Sequence, residues 1–118
     1  MTTTVYVCTT CRGADEAPEP RESRAGARLH AALVEAAQDH PDIAIVGVEC
    51  LSVCKRPVTV GFASAGKWTY IYGDFAPESA GAVIAGAQLF TRAADGLIPW
   101  KERPDGLKRG VVARIPPR

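Results

Sequence analysis

The sequence predicts an α/β domain of order β-α-β-β-β-α with an extended C-terminal tail, and three observations predict it. Short runs of β-branched and aromatic residues alternate with two stretches whose apolar residues recur at helical spacing. The chain of 118 residues suits one hydrophobic core that needs no disulfides. An apolar fraction of 47% beside 23% charged residues belongs to a folding chain rather than a disordered one.

The elements follow in order. Thr3 to Val7 alternates β-branched and aromatic residues, a first strand ending at Cys8. ADEAPEPRES, with Pro18 and Pro20, is a charged loop, and Ser23 is the expected cap of the next helix. In ARLHAALVEAAQ, Leu29, Leu33, Val34 and Ala37 mark an amphipathic helix that stops before Pro41. IAIVGV, from Ile43 to Val48, is a continuous apolar run, the pattern of a strand covered on both faces, and Cys50 lies just past it.

VTVGFAS and KWTYIYG, separated by Ala65 and Gly66, read as a hairpin whose Trp68, Tyr70 and Tyr72 share a face. Those three aromatics suit either the core or a partner surface. Pro77 opens a second helix with Val83, Ile84, Ala87 and Phe90 on its apolar side. Residues 1–95 are therefore expected to form the domain. Residues 96–118, punctuated by Pro99, Pro104, Pro116 and Pro117, are expected to be an extended tail with at most a short strand at VVARI. Trp100, Val111, Val112 and Ile115 should anchor it to the domain or to a second subunit, which makes a homodimer an expectation.

A formal net charge of +1 gives no global attraction to nucleic acid or to an anionic membrane. MTTTVYVCTT has no basic start and apolar run of a secretory signal, and no apolar stretch approaches a membrane span of roughly 20 residues. The expectation is a cytoplasmic protein, where paired cysteines serve metals or redox chemistry more often than structural disulfides.

All four cysteines fall in two close pairs, Cys8 and Cys11 in VYVCTTCRG, and Cys50 and Cys54 in VECLSVCKRP. A right-handed crossover makes the first two strands parallel and brings both pairs to one end of the sheet. Two chelating pairs suit one zinc ion, or a 2Fe-2S cluster with one pair per iron. Spacing alone does not choose between them. Arg12, Lys55 and Arg56 are placed to offset an anionic four-thiolate cluster and to attract an acidic redox partner, which favours iron and sulfide. The rivals are four buried apolar thiols, or a dithiol at Cys8 and Cys11; for the latter the helix begins late, after a proline-bearing loop.

VCTTCRG, VECLSVCKRPVTVGF, GKWTYIYGD, GLIPWKERP and ARIPP together resemble the DUF1636 family, described as predicted metal-binding proteins, over almost the whole chain. More distantly, the layout is similar to the thioredoxin-like 2Fe-2S ferredoxins and the related small subunit of respiratory complex I. That resemblance implies a thioredoxin-like ferredoxin fold with Cys8, Cys11, Cys50 and Cys54 as cluster ligands. It also implies an association with cobalamin-related metabolism. Those ferredoxins place more residues between their first two ligands than Thr9 and Thr10, a departure that retains zinc as the alternative.

Elsewhere the chemistry is plain. His30 and His40 read as surface or capping residues, Glu49 as a solvated turn carboxylate, and Asp74 and Glu78 as capping and dipole-complementing residues. No catalytic triad or phosphate-cradling loop is evident. The sequence thus points to a one-electron carrier without catalytic residues, whose redox partner performs the chemistry. A zinc-stabilised module, or a thiol oxidoreductase or metal-transfer protein using Cys8 and Cys11, stands as the alternative.

Overall fold

The β-branched runs form strands and the 3.6-periodic runs form helices, in a computed structural model that describes residues 2–12, 20, 23–52 and 56–117. In chain order these are β1 (Thr3–Cys8), α1 (Ala25–Ala36), β2 (Ile43–Val48), β3 (Val60–Ala63), β4 (Thr69–Tyr72), α2 (Ala80–Arg92), α3 (Asp105–Arg109) and β5 (Val111–Ile115). Among the described residues they build a five-stranded sheet of order β2-β1-β3-β4-β5. β1 and β2 are parallel, with Cys8 opposite Val48, and the remaining pairings are antiparallel.

The core lies between one sheet face and the helices. Val5, Val7, Val60, Phe62, Tyr70 and Tyr72 are inaccessible, as are Leu29 and Leu33 of α1 and Val83, Ala87 and Phe90 of α2. Phe90 meets Phe62 and Tyr70 with ring centroids 5.8 and 6.4 Å apart. Burying each of the valine, leucine and phenylalanine side chains contributes about 1.5–3 kcal/mol. Every apolar position expected of α2 is buried; of those expected of the first helix, Leu29 and Leu33 are buried, Val34 is exposed and Ala37 is half-buried in a 3-10 turn just past α1.

Four expectations are corrected. β2 is an edge strand rather than a covered one: of its residues only Ile43 is buried, and Val46 is 39% exposed. A β-branched apolar run specifies a strand but not the number of layers laid on it. Ser23 does not cap α1; Arg24 occupies that position, with no side-chain cap bond. Nor does Asp74 cap the second helix, since the Ala76 amide donates to Ser79 Oγ (3.0 Å) ahead of a short 3-10 turn, Pro77–Ser79. Asp74 instead receives Arg56 Nη2 at 2.7 Å.

The tail is the fourth. Besides the expected strand β5, which pairs with β4, it carries a 3-10 turn (Trp100–Glu102) and the helix α3. Pro104 stands at the N-cap of α3, where a missing amide costs nothing, Asp105 lies in its first turn and Lys108 and Arg109 in its last. Proline content therefore marks helix starts here as well as breaks. The buried anchors are Ile98 and Leu107, whereas Trp100 and Ile115 are 59% and 53% exposed.

A buried cation joins hairpin to helix. Lys67, 4% exposed, donates from Nζ to the carbonyls of Phe90 (3.0 Å) and Thr91 (2.8 Å) at the end of α2. A cation there complements the negative pole of the helix.

Candidate metal centre

Parallel pairing of β1 with β2 brings Cys8 to the same sheet end as Cys50. The loop after β1 is stitched to the end of β2 by its two threonines. The Thr9 amide and hydroxyl both donate to Val48 O (2.8 and 3.1 Å), and the Thr10 hydroxyl donates to Glu49 O. On its other side the Cys8 amide donates to Thr59 O at 3.0 Å, just before β3.

The first turn of α1 closes the loop from a third direction. The Gly26 amide donates to Cys11 O at 2.9 Å, and Arg24 Nη1 donates to Thr10 O at 3.1 Å. A β-carbon at position 26 would lie 2.1 Å from Cys8 O, so only glycine permits this approach. The chain separation that places α1 far from the cysteine motif in sequence is thus closed in space, but the helix amide is spent on a carbonyl rather than on a sulfur. Gly47 on β2 plays a related part: a β-carbon there would meet Thr9 Cγ2 at 2.9 Å and His30 Nε2 at 3.1 Å. His30 thereby lies over β2 beside the loop. His40 is bonded through Nδ1 to Gln88 Nε2 (3.1 Å).

Cys8 and Cys11 are buried and Cys50 is exposed. Cys8 Sγ lies 3.5 Å from Glu49 O, against the backbone that leads into Cys50. Burial would raise the Cys8 thiol, but hydrogen bonds from Cys11, from Thr10 and from the Leu51 amide outweigh it and hold the thiol below its ordinary value. Burial, together with the bond to Cys8, pushes the Cys11 thiol up to about 11, against the opposing bonds from Thr59. The Ser52 amide donates to Cys50 Sγ at 3.1 Å, with Ser52 in the left-handed region at φ 63°. Backbone amides therefore address Cys8 and Cys50; at Cys8 they favour the thiolate, whereas at Cys11 burial outweighs the bonds from Thr59.

Cys54, with Val53 and Lys55, lies outside the described residues. Among those described, no three His, Cys, Asp or Glu side chains stand close enough together to hold a metal ion. Of the cations expected to face the cysteines, Arg56 is corrected, while Lys55 lies outside the described residues. Arg56 turns to the tail, donating from Nε and Nη2 to Asp74 Oδ2 (2.9 and 2.7 Å), from Nη2 to Arg109 O (3.2 Å) and from Nη1 to Val111 O (3.4 Å). It fastens α3 and β5 to the chain that follows the second pair. The sequence assigns no role to Gly26 and Thr59, nor to Thr9 and Thr10 beyond spacing the first two cysteines; a polar residue inside the apolar VTVGF and a glycine early in a helix are the available signals.

A family model described as "Protein of unknown function (DUF1636)" matches residues 5–117. The chain belongs to that family. The structure resembles a thioredoxin-like [2Fe-2S] ferredoxin from Aquifex aeolicus, with a TM-score of 0.61 and 18% identity over 96% of this chain and 92% of that one. A variant of that ferredoxin with a cysteine replaced by serine matches with a TM-score of 0.61 and 16% identity, over 94% of this chain and 98% of that one. The fold of this DUF1636 member is accordingly the thioredoxin-like ferredoxin fold. Comparison with curated proteins gave no match. Among the described residues no helix is long and apolar enough to cross a membrane.

Proposed function

We propose that this protein is a one-electron carrier that binds a 2Fe-2S cluster through Cys8, Cys11, Cys50 and Cys54. The observation that carries this is the convergence of backbone amides on thiols at the shared end of β1 and β2, in a fold like that of the Aquifex aeolicus ferredoxin. A four-thiolate donor set fits such a cluster, which when bound supplies reversible one-electron transfer tuned by hydrogen bonds to sulfur and by burial. The chain's own contribution is positional. Thr9 and Thr10 fix the first loop on β2, Gly26 admits α1 against it, and Thr59 holds Cys8 and Cys11 from the β3 side. On this reading the protein has no catalytic residues, and a redox partner performs the chemistry, to be sought in cobalamin-related metabolism.

The test is ligand equivalence. Cys8→Ser, Cys11→Ser, Cys50→Ser and Cys54→Ser should each reduce the iron and sulfide held by anaerobically purified protein. A variant that keeps full iron and an unchanged spectrum removes its cysteine from the ligand set. The tight Cys-Thr-Thr-Cys loop favours one second reading, a zinc-stabilised module. Zinc in place of iron in the wild-type protein would select it.

A further inference from the structure

We propose that the groove beside β5 docks an acidic, extended segment of a partner protein, which adds as a strand along that edge. β5 ends the sheet. It pairs with β4 on one side, and among the described residues no strand pairs with its other side, where Ala113, Arg114 and Ile115 are exposed. An open edge of this kind supplies main-chain donors and acceptors at strand spacing.

The groove next to that edge is cationic and aromatic. A cavity of about 400 Å³ opens between β5 and the segment before it, lined among the described residues by Tyr70, Trp100, Arg103, Lys108 and Arg114 with Val111 and Ala113, none of them a carboxylate. Among the described residues none of its three cations is ion-paired. They are nonetheless held in place. Arg103 donates from Nε to Ile98 O (3.0 Å) and from Nη2 to the Tyr70 hydroxyl (3.2 Å), and stands 5.4 Å from the Trp100 ring centroid. Lys108 lies 5.9 Å from the same ring, and Arg114 lies 4.9 Å from that of Trp68. Ring contacts of this kind fix a cation at little further entropic cost on binding. Exposed tryptophan beside arginine is also the composition of a binding hot spot.

The occupant follows from charge and shape. Arg114 is the cross-strand partner of Tyr70, so it shares the face on which the groove opens. A strand added to β5 presents every second side chain to that face. Carboxylates at those positions would meet Arg103, Lys108 and Arg114. Nucleic acid would need a wider cationic field than a chain of formal charge +1 supplies.

The probe is a short fluorescein-labelled peptide alternating glutamate with valine, titrated into the full-length protein and followed by fluorescence anisotropy, with a glutamine–valine peptide as control. The acidic peptide should bind saturably and weaken as salt rises. Lys108→Glu with Arg114→Glu should raise its Kd by at least about tenfold, and Trp100→Ala should weaken it while leaving circular dichroism and metal content unchanged. Absence of saturable binding, equal binding of the control peptide, or full affinity in the charge-reversed variant overturns the proposal. So does self-association through β5, recognised as a doubled mass that excludes the peptide. Because metal content is measured on the same samples, failure of peptide binding is separable from failure of the cluster assignment.

Discussion

Gly26→Ala sets the cysteine loop against the helix that packs on it. The new methyl would lie 2.1 Å from Cys8 O and 3.2 Å from Cys11 N, and the first distance is one that real side chains do not occupy. Backbone on one side or the other must move. Overpacking of this kind costs about 1–3 kcal/mol, and separation of the Gly26 amide from Cys11 O forfeits about 1 kcal/mol more. Alanine recovers up to about 1 kcal/mol through helix propensity. The net loss is about 1–3 kcal/mol, or roughly 4–12 °C in Tm for a domain of this size, with reduced metal retention because Cys8 and Cys11 are displaced. Gly81→Ala is the matched control: a methyl there meets nothing within 4 Å, so the same substitution in α2 should stabilise by about 0.4–1 kcal/mol. Thermal melting of both variants, with iron analysis, is the assay. A Gly26→Ala protein as stable and as metal-loaded as wild type would refute the close approach of α1 to the cysteine loop.

Three further perturbations follow from particular contacts. Arg56→Ala should destabilise by about 1–2 kcal/mol in chemical denaturation, discounted for partial exposure, through loss of Asp74 and the two tail carbonyls; a large shift in reduction potential with unchanged stability would show that the guanidinium serves the cysteines instead. Lys67→Met leaves the Phe90 and Thr91 carbonyls without their donor in a buried site, a loss of about 2 kcal/mol, and an unchanged denaturation midpoint would contradict the burial of this amine. Among the described residues the buried Tyr72 hydroxyl has no hydrogen-bond partner, whereas the Tyr70 hydroxyl accepts from Ile98 N and from Arg103. Tyr72→Phe should therefore be neutral or stabilising by up to about 1 kcal/mol, and Tyr70→Phe destabilising by a similar amount, with the reverse order in thermal melts excluding these pairings.

How far the chain can be read without coordinates differs from element to element. Strand runs such as TTVYVC and the periodic Val83, Ile84, Ala87, Phe90 state their element and buried face directly, because period alone decides both. The parallel placement of the cysteine-bearing strand ends follows from the β-α-β order and its fixed hand. Layer count does not, which is why β2 reads as covered yet lies at an edge. Long-range polar choices are equally silent: Arg56 follows the second cysteine pair in sequence but is claimed by Asp74 and the tail, and nothing in the hairpin run KWTYIYG announces that Lys67 is drawn under by two carbonyls of α2. In the candidate site, the cysteines announce themselves by pairing. The threonines, Gly26 and Thr59 act through backbone geometry that no spacing encodes.

The measurement that bears most directly on the cluster assignment is the visible absorption of anaerobically purified wild-type protein, read together with its iron and acid-labile sulfide. A protein that binds a 2Fe-2S cluster through these cysteines is coloured, contains iron and sulfide in equal amounts, and bleaches on one-electron reduction. A colourless protein that holds zinc, or that is colourless and holds no iron after anaerobic reconstitution, contradicts it.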